Sequence, residues 1–155
     1  MNKISVVIPT LKRPVSLVHA VTSVLEQKYL PDELIIVDQS VDKQSYIAIE
    51  RLYKNFDVTP KLIYLHEPEV SGLTEAKQRG VEVAKGDIIS FLEDDVVLHQ
   101  QYLENSMSVF KSNHKVMGCC GVISNVYSGI LYEYLFKLFH RGIFYDSRLN
   151  IGKNR

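Results

Sequence analysis

The sequence carries no net charge, its 18 Lys and Arg matching 18 Asp and Glu over 155 residues. Bulk electrostatics therefore predicts neither nucleic acid nor a membrane surface as partner. Cysteine is almost absent, being confined to the adjacent pair Cys119 and Cys120. A zinc site needs more ligands than these, and neighbouring cysteines rarely bridge because the link is strained. Lying in an apolar run, they are expected as buried thiols of a reducing compartment. Long apolar runs are missing too: none reaches the roughly 20 residues of a membrane-spanning helix. The first residues enter a strand-like segment with no secretory leader pattern, so the cytoplasm is the expected location. No repeat or low-complexity linker is present. With 46% hydrophobic and 23% charged residues, the chain has the make-up of one soluble domain with its own core.

Several catalytic signatures are also lacking. No Gly-x-Gly-x-x-Gly follows the first strand, which excludes the phosphate turn of a dinucleotide-binding dehydrogenase. A phosphate loop of the Gly-x-x-x-x-Gly-Lys-Ser/Thr type is missing, as is the Gly-x-Ser-x-Gly elbow of a serine hydrolase. His66, His99, His114 and His140 are scattered without metal-ligand spacing. Only His99 lies near a group of acids, where it is either a ligand or a surface residue.

What is present is an alternation of short β-branched runs with longer helical ones. Strands are expected at Ile4–Ile8, stopped by Pro9, and at Glu33–Val37, Lys61–Leu65, Ile88–Leu92 and about 116–123. Helices are expected at Pro14–Gln27, about 43–53, Ser71–Lys85 with Gly86 as its stop, and about 100–111. Strands alternating with helices of this length imply right-handed crossovers and an α/β fold with a mostly parallel sheet. After Gly129 the sequence turns aromatic and basic, with five Lys/Arg against two acids. Residues 129–145 suit a helix that packs on the sheet, or one that docks on a membrane surface or another subunit.

An open parallel sheet binds ligands beyond the carboxyl ends of its strands. That rule singles out Pro9–Arg13, Asp38–Asp42, Glu67–Thr74 and Glu93–His99. Glu93, Asp94 and Asp95 are the strongest feature, since three adjacent carboxylates at a strand mouth repel one another unless a cation is present. Mg²⁺ or Mn²⁺ would suit, sharing carboxylates with substrate phosphates and stabilising a diphosphate leaving group. The competing reading is an acidic turn capping the next helix. Asp38 either accepts hydrogen bonds from a base or ribose, or closes a turn with Ser40 and Asp42.

Four segments in this order resemble a known family. They are ISVVIPTLKRP (4–14), LEQKYLPDELIIVDQS (25–40), SGLTEAKQRG (71–80) and AKGDIISFLEDD (84–95). Together they are similar to the family-two glycosyltransferases, over roughly residues 3 to 125. The resemblance implies a GT-A fold and transfer of a sugar, with inversion, from a UDP- or GDP-linked donor. Pro9 and Thr10 would line the nucleotide pocket, Asp38 would contact the base, Asp94 the ribose, and Asp95 the divalent metal. Lys77 stands where many members have Arg, keeping the charge but losing the bidentate fork; Arg79 either substitutes for it or faces solvent. Gln39 replaces a second acid common after the Asp38 position. Residues 1–125 would form the donor-binding core, and 126–155 the start of a truncated region for an unidentified sugar or lipid-linked acceptor. No general base is identifiable. The alternative is a donor-binding domain without turnover.

Overall fold

The run Ile4-Ser-Val-Val-Ile is apolar and β-branched, and forms the centre of the sheet. The computed structural model describes residues 3–122, in which strand β1 spans Ile4–Thr10 with every residue buried. It pairs in parallel with β2 (Glu33–Asp38) on one side and β4 (Ile88–Phe91) on the other. Strand β3 (Lys61–His66) extends the sheet from β2, giving the order β3-β2-β1-β4. Burial on both faces is why β1 and β2 read as continuous apolar runs rather than alternating ones.

Helices α1 (Pro14–Leu25), α2 (Gln44–Tyr53), α3 (Leu73–Val83) and α4 (Tyr102–Ser112) connect or follow the strands. Side chains alternate along a strand, so β1 serves two cores. Ile4, Val6 and Ile8 pack with Leu17 and Val21 of α1, Ile49 of α2, and Leu103 and Met107 of α4. On the opposite face Val7 packs with Ile35, Val37 and Ala76 of α3. Helix α3 lies close against the sheet at Gly80, where a methyl group would overlap Val7 Cγ1 and sit 3.3 Å from its Cγ2.

The α/β class and parallel sheet are as expected, while several boundaries differ. Pro9 does not stop β1 but lies within it, opposite Val37. The Leu92 N–H donates to the Val7 carbonyl, so the odd-numbered residues of β1 direct their backbone groups toward β4. Strand β4 has ended before Pro9, and the missing N–H of proline costs no ladder bond there. Helix α1 ends at Leu25, two residues short of Gln27, whose buried side chain acts as a clamp instead. Gly86 is not the stop of α3, which ends at Val83; it is a close approach to Ser5 in the turn before β4.

Residues 116–122 form no strand, so Cys119 and Cys120 are exposed rather than buried. No described helix is long and apolar enough to cross a membrane. The chain divides into two units, Met1–Cys120 and Gly121–Arg155. The aromatic segment 129–145 and its expected contacts lie outside the described residues.

Candidate functional site

From β1 the chain moves outward through β2 and β3, then returns to the other side of β1 as β4. The crevice at the carboxyl ends of β1 and β4 is thus the switch point where a parallel sheet takes its ligand. A cleft of about 290 Å³ opens there. Its walls are Pro9, Thr10, Leu11 and Arg13 after β1, Gln39 after β2, Gly72 and Leu73 at the start of α3, and Glu93 and Asp94 after β4. A larger cavity of about 340 Å³ lies between β4 and α4 and reaches Cys119 and Cys120. It runs along β4 from Asp87 to Phe91 and, among the described residues, holds Asp87 as its only acid, so the cleft with converging acids is the better site.

The acidic run is not left to repel itself. Asp94, 7% exposed, accepts the Thr10 hydroxyl on Oδ2 at 2.8 Å. Its Oδ1 lies 3.3 Å from Arg13 Nη1, and the same nitrogen lies 3.1 Å from Asp95 Oδ2. Glu93 turns the other way to Lys77 Nζ at 2.6 Å, and that ammonium also sits 5.6 Å from the Phe91 ring centre. Three carboxylates therefore meet two cations, and one of those cations bridges Asp94 and Asp95.

That bridge tests whether a divalent ion suits the site. Both carboxylates already point one oxygen at a shared cationic position. One or two carboxylates is also the usual protein share for Mg²⁺ or Mn²⁺, with phosphate and water supplying the rest. The residues fit such an ion. A self-sufficient metal site is another matter: among the described residues no three His, Cys, Asp or Glu cluster to make one. His99 accepts the Gln101 N–H on Nδ1 at 3.3 Å.

Asp38, the residue expected to contact the base, is the last residue of β2. It is fully buried, with Oδ1 accepting the Ser40 N–H at 2.9 Å and Oδ2 the Tyr64 hydroxyl at 2.6 Å. Burial, reinforced by the Asp38 carboxylate, pushes the Tyr64 phenol well above its ordinary range, so it stays a hydrogen donor. Ser40 then accepts the Lys12 N–H on Oγ at 2.8 Å, while its carbonyl accepts His66 Nε2–H at 2.8 Å. Lys12 has φ 55, a strained value for a residue with a side chain. Asp38 thus anchors the loops after β1 and β2 from beneath. Gln39, next in the chain, lines the cleft and accepts the Gly72 N–H on Oε1 at 3.1 Å. Gly72 has φ 93, which suits glycine at this turn into α3.

Of the residues expected at the site, Pro9, Thr10 and Asp94 share the cleft wall, and Asp95 joins them through Arg13. Lys77 reaches the rim through Glu93, while Arg79 pairs with Glu67 and Glu82 away from it. Arg13 and Gln39 lie in the strand-end segments singled out from the sequence, but Arg13 was given no role there and Gln39 was read only as replacing an acid. The signal for Arg13 was the acidic run itself, which required a cation from another strand end.

Comparison with known proteins agrees with this architecture. The sequence model described as Glycosyl transferase family 2 matches residues 5–153. An uncharacterized glycosyltransferase of Haemophilus influenzae is 31% identical over 118 residues, covering 76% of this chain and 46% of that protein. Residues 1–349 of S. aureus TarS, solved with UDP-GlcNAc, superpose with a TM-score of 0.60 at 20% identity, over 81% of this chain and 38% of that one. Glucosyl-3-phosphoglycerate synthase from Mycobacterium tuberculosis was solved with Mn²⁺, UDP and glucosyl-3-phosphoglycerate. It superposes with a TM-score of 0.53 at 25% identity, over 69% of this chain and 39% of that one. The chain spans less than half the length of the curated relatives it matches. On the family match over residues 5–153, the chain belongs to glycosyl transferase family 2.

Proposed function

We propose that the cleft binds a nucleotide-diphospho-sugar and that the chain is the donor-binding part of a sugar transferase acting on a sugar or lipid-linked acceptor. The observation that carries this is the convergence of Asp94 and Asp95 on one cationic position at the switch point of a parallel sheet. The ligand class follows the UDP-GlcNAc and UDP–Mn²⁺ complexes of the two structural neighbours. Pro9 and Thr10 form the floor, and Thr10 fixes the Asp94 carboxylate through its hydroxyl so that the remaining oxygen can meet a ribose hydroxyl. Asp95, exposed at the rim, would hold Mn²⁺ or Mg²⁺ with help from Asp94. When bound, such an ion offsets charge on the diphosphate as it leaves the sugar.

The remaining roles follow from position. Lys77 neutralises Glu93, so the charge turned to the donor is that of Asp94 and Asp95 alone. The first N–H groups of α3 open beside the cleft at Leu73 and add a partial positive charge on the phosphate side. Gln39 replaces Asp38 as the group facing the base. Its amide offers both a donor and an acceptor, which suits uracil or guanine.

A second reading has a specific observation in its favour. Each carboxylate of the acidic run is tied to a cation, and none stands free to take a proton from an acceptor hydroxyl. Inverting transfer requires such a base, and among the described residues the acidic run supplies none, so on this reading the described part binds donor without turnover. Melting curves with UDP or GDP plus Mn²⁺ test the shared claim. A rise in Tm that Asp95→Ala removes is expected, and an equal rise in the variant overturns the assignment of Asp95. Release of sugar from donor in the presence of acceptors then decides between the readings.

A further inference from the structure

Arg13 holds the position that the proposed metal would need. Its Nη1 lies 3.3 Å from Asp94 Oδ1 and 3.1 Å from Asp95 Oδ2, so one nitrogen satisfies the two oxygens that face the shared cationic position. Asp94 is buried and fixed by Thr10, whereas the Arg13 side chain is 56% exposed and sits on a flexible stem. Of the two partners, the arginine is the one free to move. We propose that Arg13 is a resident counter-ion that competes with the divalent cation and must swing off Asp94 and Asp95 before that cation can be held. This inference rests on the assignment of Asp94 and Asp95 to the metal.

Competition has a consequence for binding order. A guanidinium and a divalent ion cannot share two carboxylate oxygens without strong repulsion. While Arg13 stays in place, the acids are already compensated and the ion alone gains little. A nucleoside diphosphate brings negative charge to the same cleft and gives the displaced guanidinium a new partner, for which its fork geometry is well suited. Arg13 thereby couples the two ligands, and the coupling is reciprocal: each tightens the other by the same factor. The loop geometry supports a short swing. Lys12 is pinned by Ser40 at 2.8 Å and Pro14 begins α1, so the backbone on either side of Arg13 is held while its side chain turns.

The test uses the full chain and reads Mn²⁺ binding directly, by electron paramagnetic resonance of free Mn²⁺, with and without UDP. Arg13→Gln removes the charge at an exposed position, and its Tm confirms folding. Without nucleotide, Arg13→Gln is expected to bind Mn²⁺ roughly threefold to tenfold more tightly than the natural sequence, from the loss of two partly exposed ion pairs. The factor by which UDP tightens Mn²⁺ should shrink in the same variant. Arg13→Lys, which keeps a charge, should stay near the natural affinity. Unchanged or weaker Mn²⁺ binding by Arg13→Gln overturns the counter-ion role. If Asp95→Ala abolishes Mn²⁺ binding while Arg13→Gln leaves it unaltered, only the Arg13 inference fails. If Asp95→Ala binds Mn²⁺ as well as the natural sequence does, the metal assignment fails and the inference falls with it.

Discussion

Replacing Gly80 with alanine sets two effects of similar size against each other. In an exposed helix the change would stabilise by about 1 kcal/mol, since glycine is the poorer helix former. Here the new methyl group overlaps Val7 Cγ1 and lies 3.3 and 3.4 Å from Val7 Cγ2 and Cβ. Val7 is fully buried between β2 and α3, and a β-branched side chain has little rotamer freedom with which to retreat. Either α3 moves outward or the sheet distorts, and overpacking of this kind costs about 1–3 kcal/mol before the helical gain is subtracted. The expected net loss is about 1 kcal/mol, or roughly 2–6 °C in Tm for a domain of this size. Helix α3 also carries Gly72 and Leu73 into the cleft, so nucleotide binding should weaken in parallel. Thermal melts of Gly80→Ala, Val7→Ala and the double variant complete the test. The double variant should recover part of the loss, because the smaller Val7→Ala side chain leaves room for the methyl group. A Gly80→Ala protein more stable than its parent by the full helical gain would refute the close approach of α3 to β1.

Two further outcomes follow from buried polar groups. Gln27 donates from Nε2 to the carbonyls of Ser23 (3.0 Å) and His99 (2.9 Å) and accepts the Leu103 N–H at 3.0 Å, tying the loop after the acids to α1. Gln27→Leu leaves these backbone groups unpaired and should lower stability by about 2–3 kcal/mol in urea unfolding, with weaker Mn²⁺–UDP binding. Glu33 is buried, which raises its pKa, but the Lys85 N–H, the Ser5 hydroxyl and the charges of Lys61 and Lys85 outweigh this and hold it below the ordinary 4.5. A depressed carboxylate adds stability above its unfolded pKa and loses it as pH falls through the folded value. Stability should therefore decline below about pH 4.5, and Glu33→Gln should flatten that part of a pH series of urea midpoints; an unaltered acid limb would contradict the assignment.

Much of the fold was legible because its signals are local. Continuous β-branched runs marked the buried strands, and Pro14 marked the first turn of α1. What failed depended on neighbours. Pro9 looked like a strand stop, yet tolerance of proline depends on how far the adjacent strand extends, which no single segment reveals. Residues 116–122 have strand-like composition, but no described strand pairs with them and the two thiols are exposed. Composition reports what a segment would do if a partner were available.

The site was legible to the extent that strand ends predict it, and what stayed illegible has one physical source. Asp38 and Gln39 are adjacent, and successive side chains leave a strand on opposite sides. The charged member was the natural choice for ligand contact, since a carboxylate is costly to bury. The structure lowers that cost by giving Asp38 the Tyr64 hydroxyl and the Ser40 N–H, which frees the neutral amide of Gln39 to face the cleft. The same logic applies to Glu93, Asp94 and Asp95. Their identity announced a need for positive charge but could not say who supplies it. Arg13 supplies it from the loop after β1, 81 residues before Asp94, and Lys77 from within α3, and the sheet order brings them together. A carboxylate in sequence is thus a demand for compensation. Whether a ligand or the protein meets that demand is decided by tertiary structure, and at Asp94 and Asp95 a guanidinium of the protein already meets it.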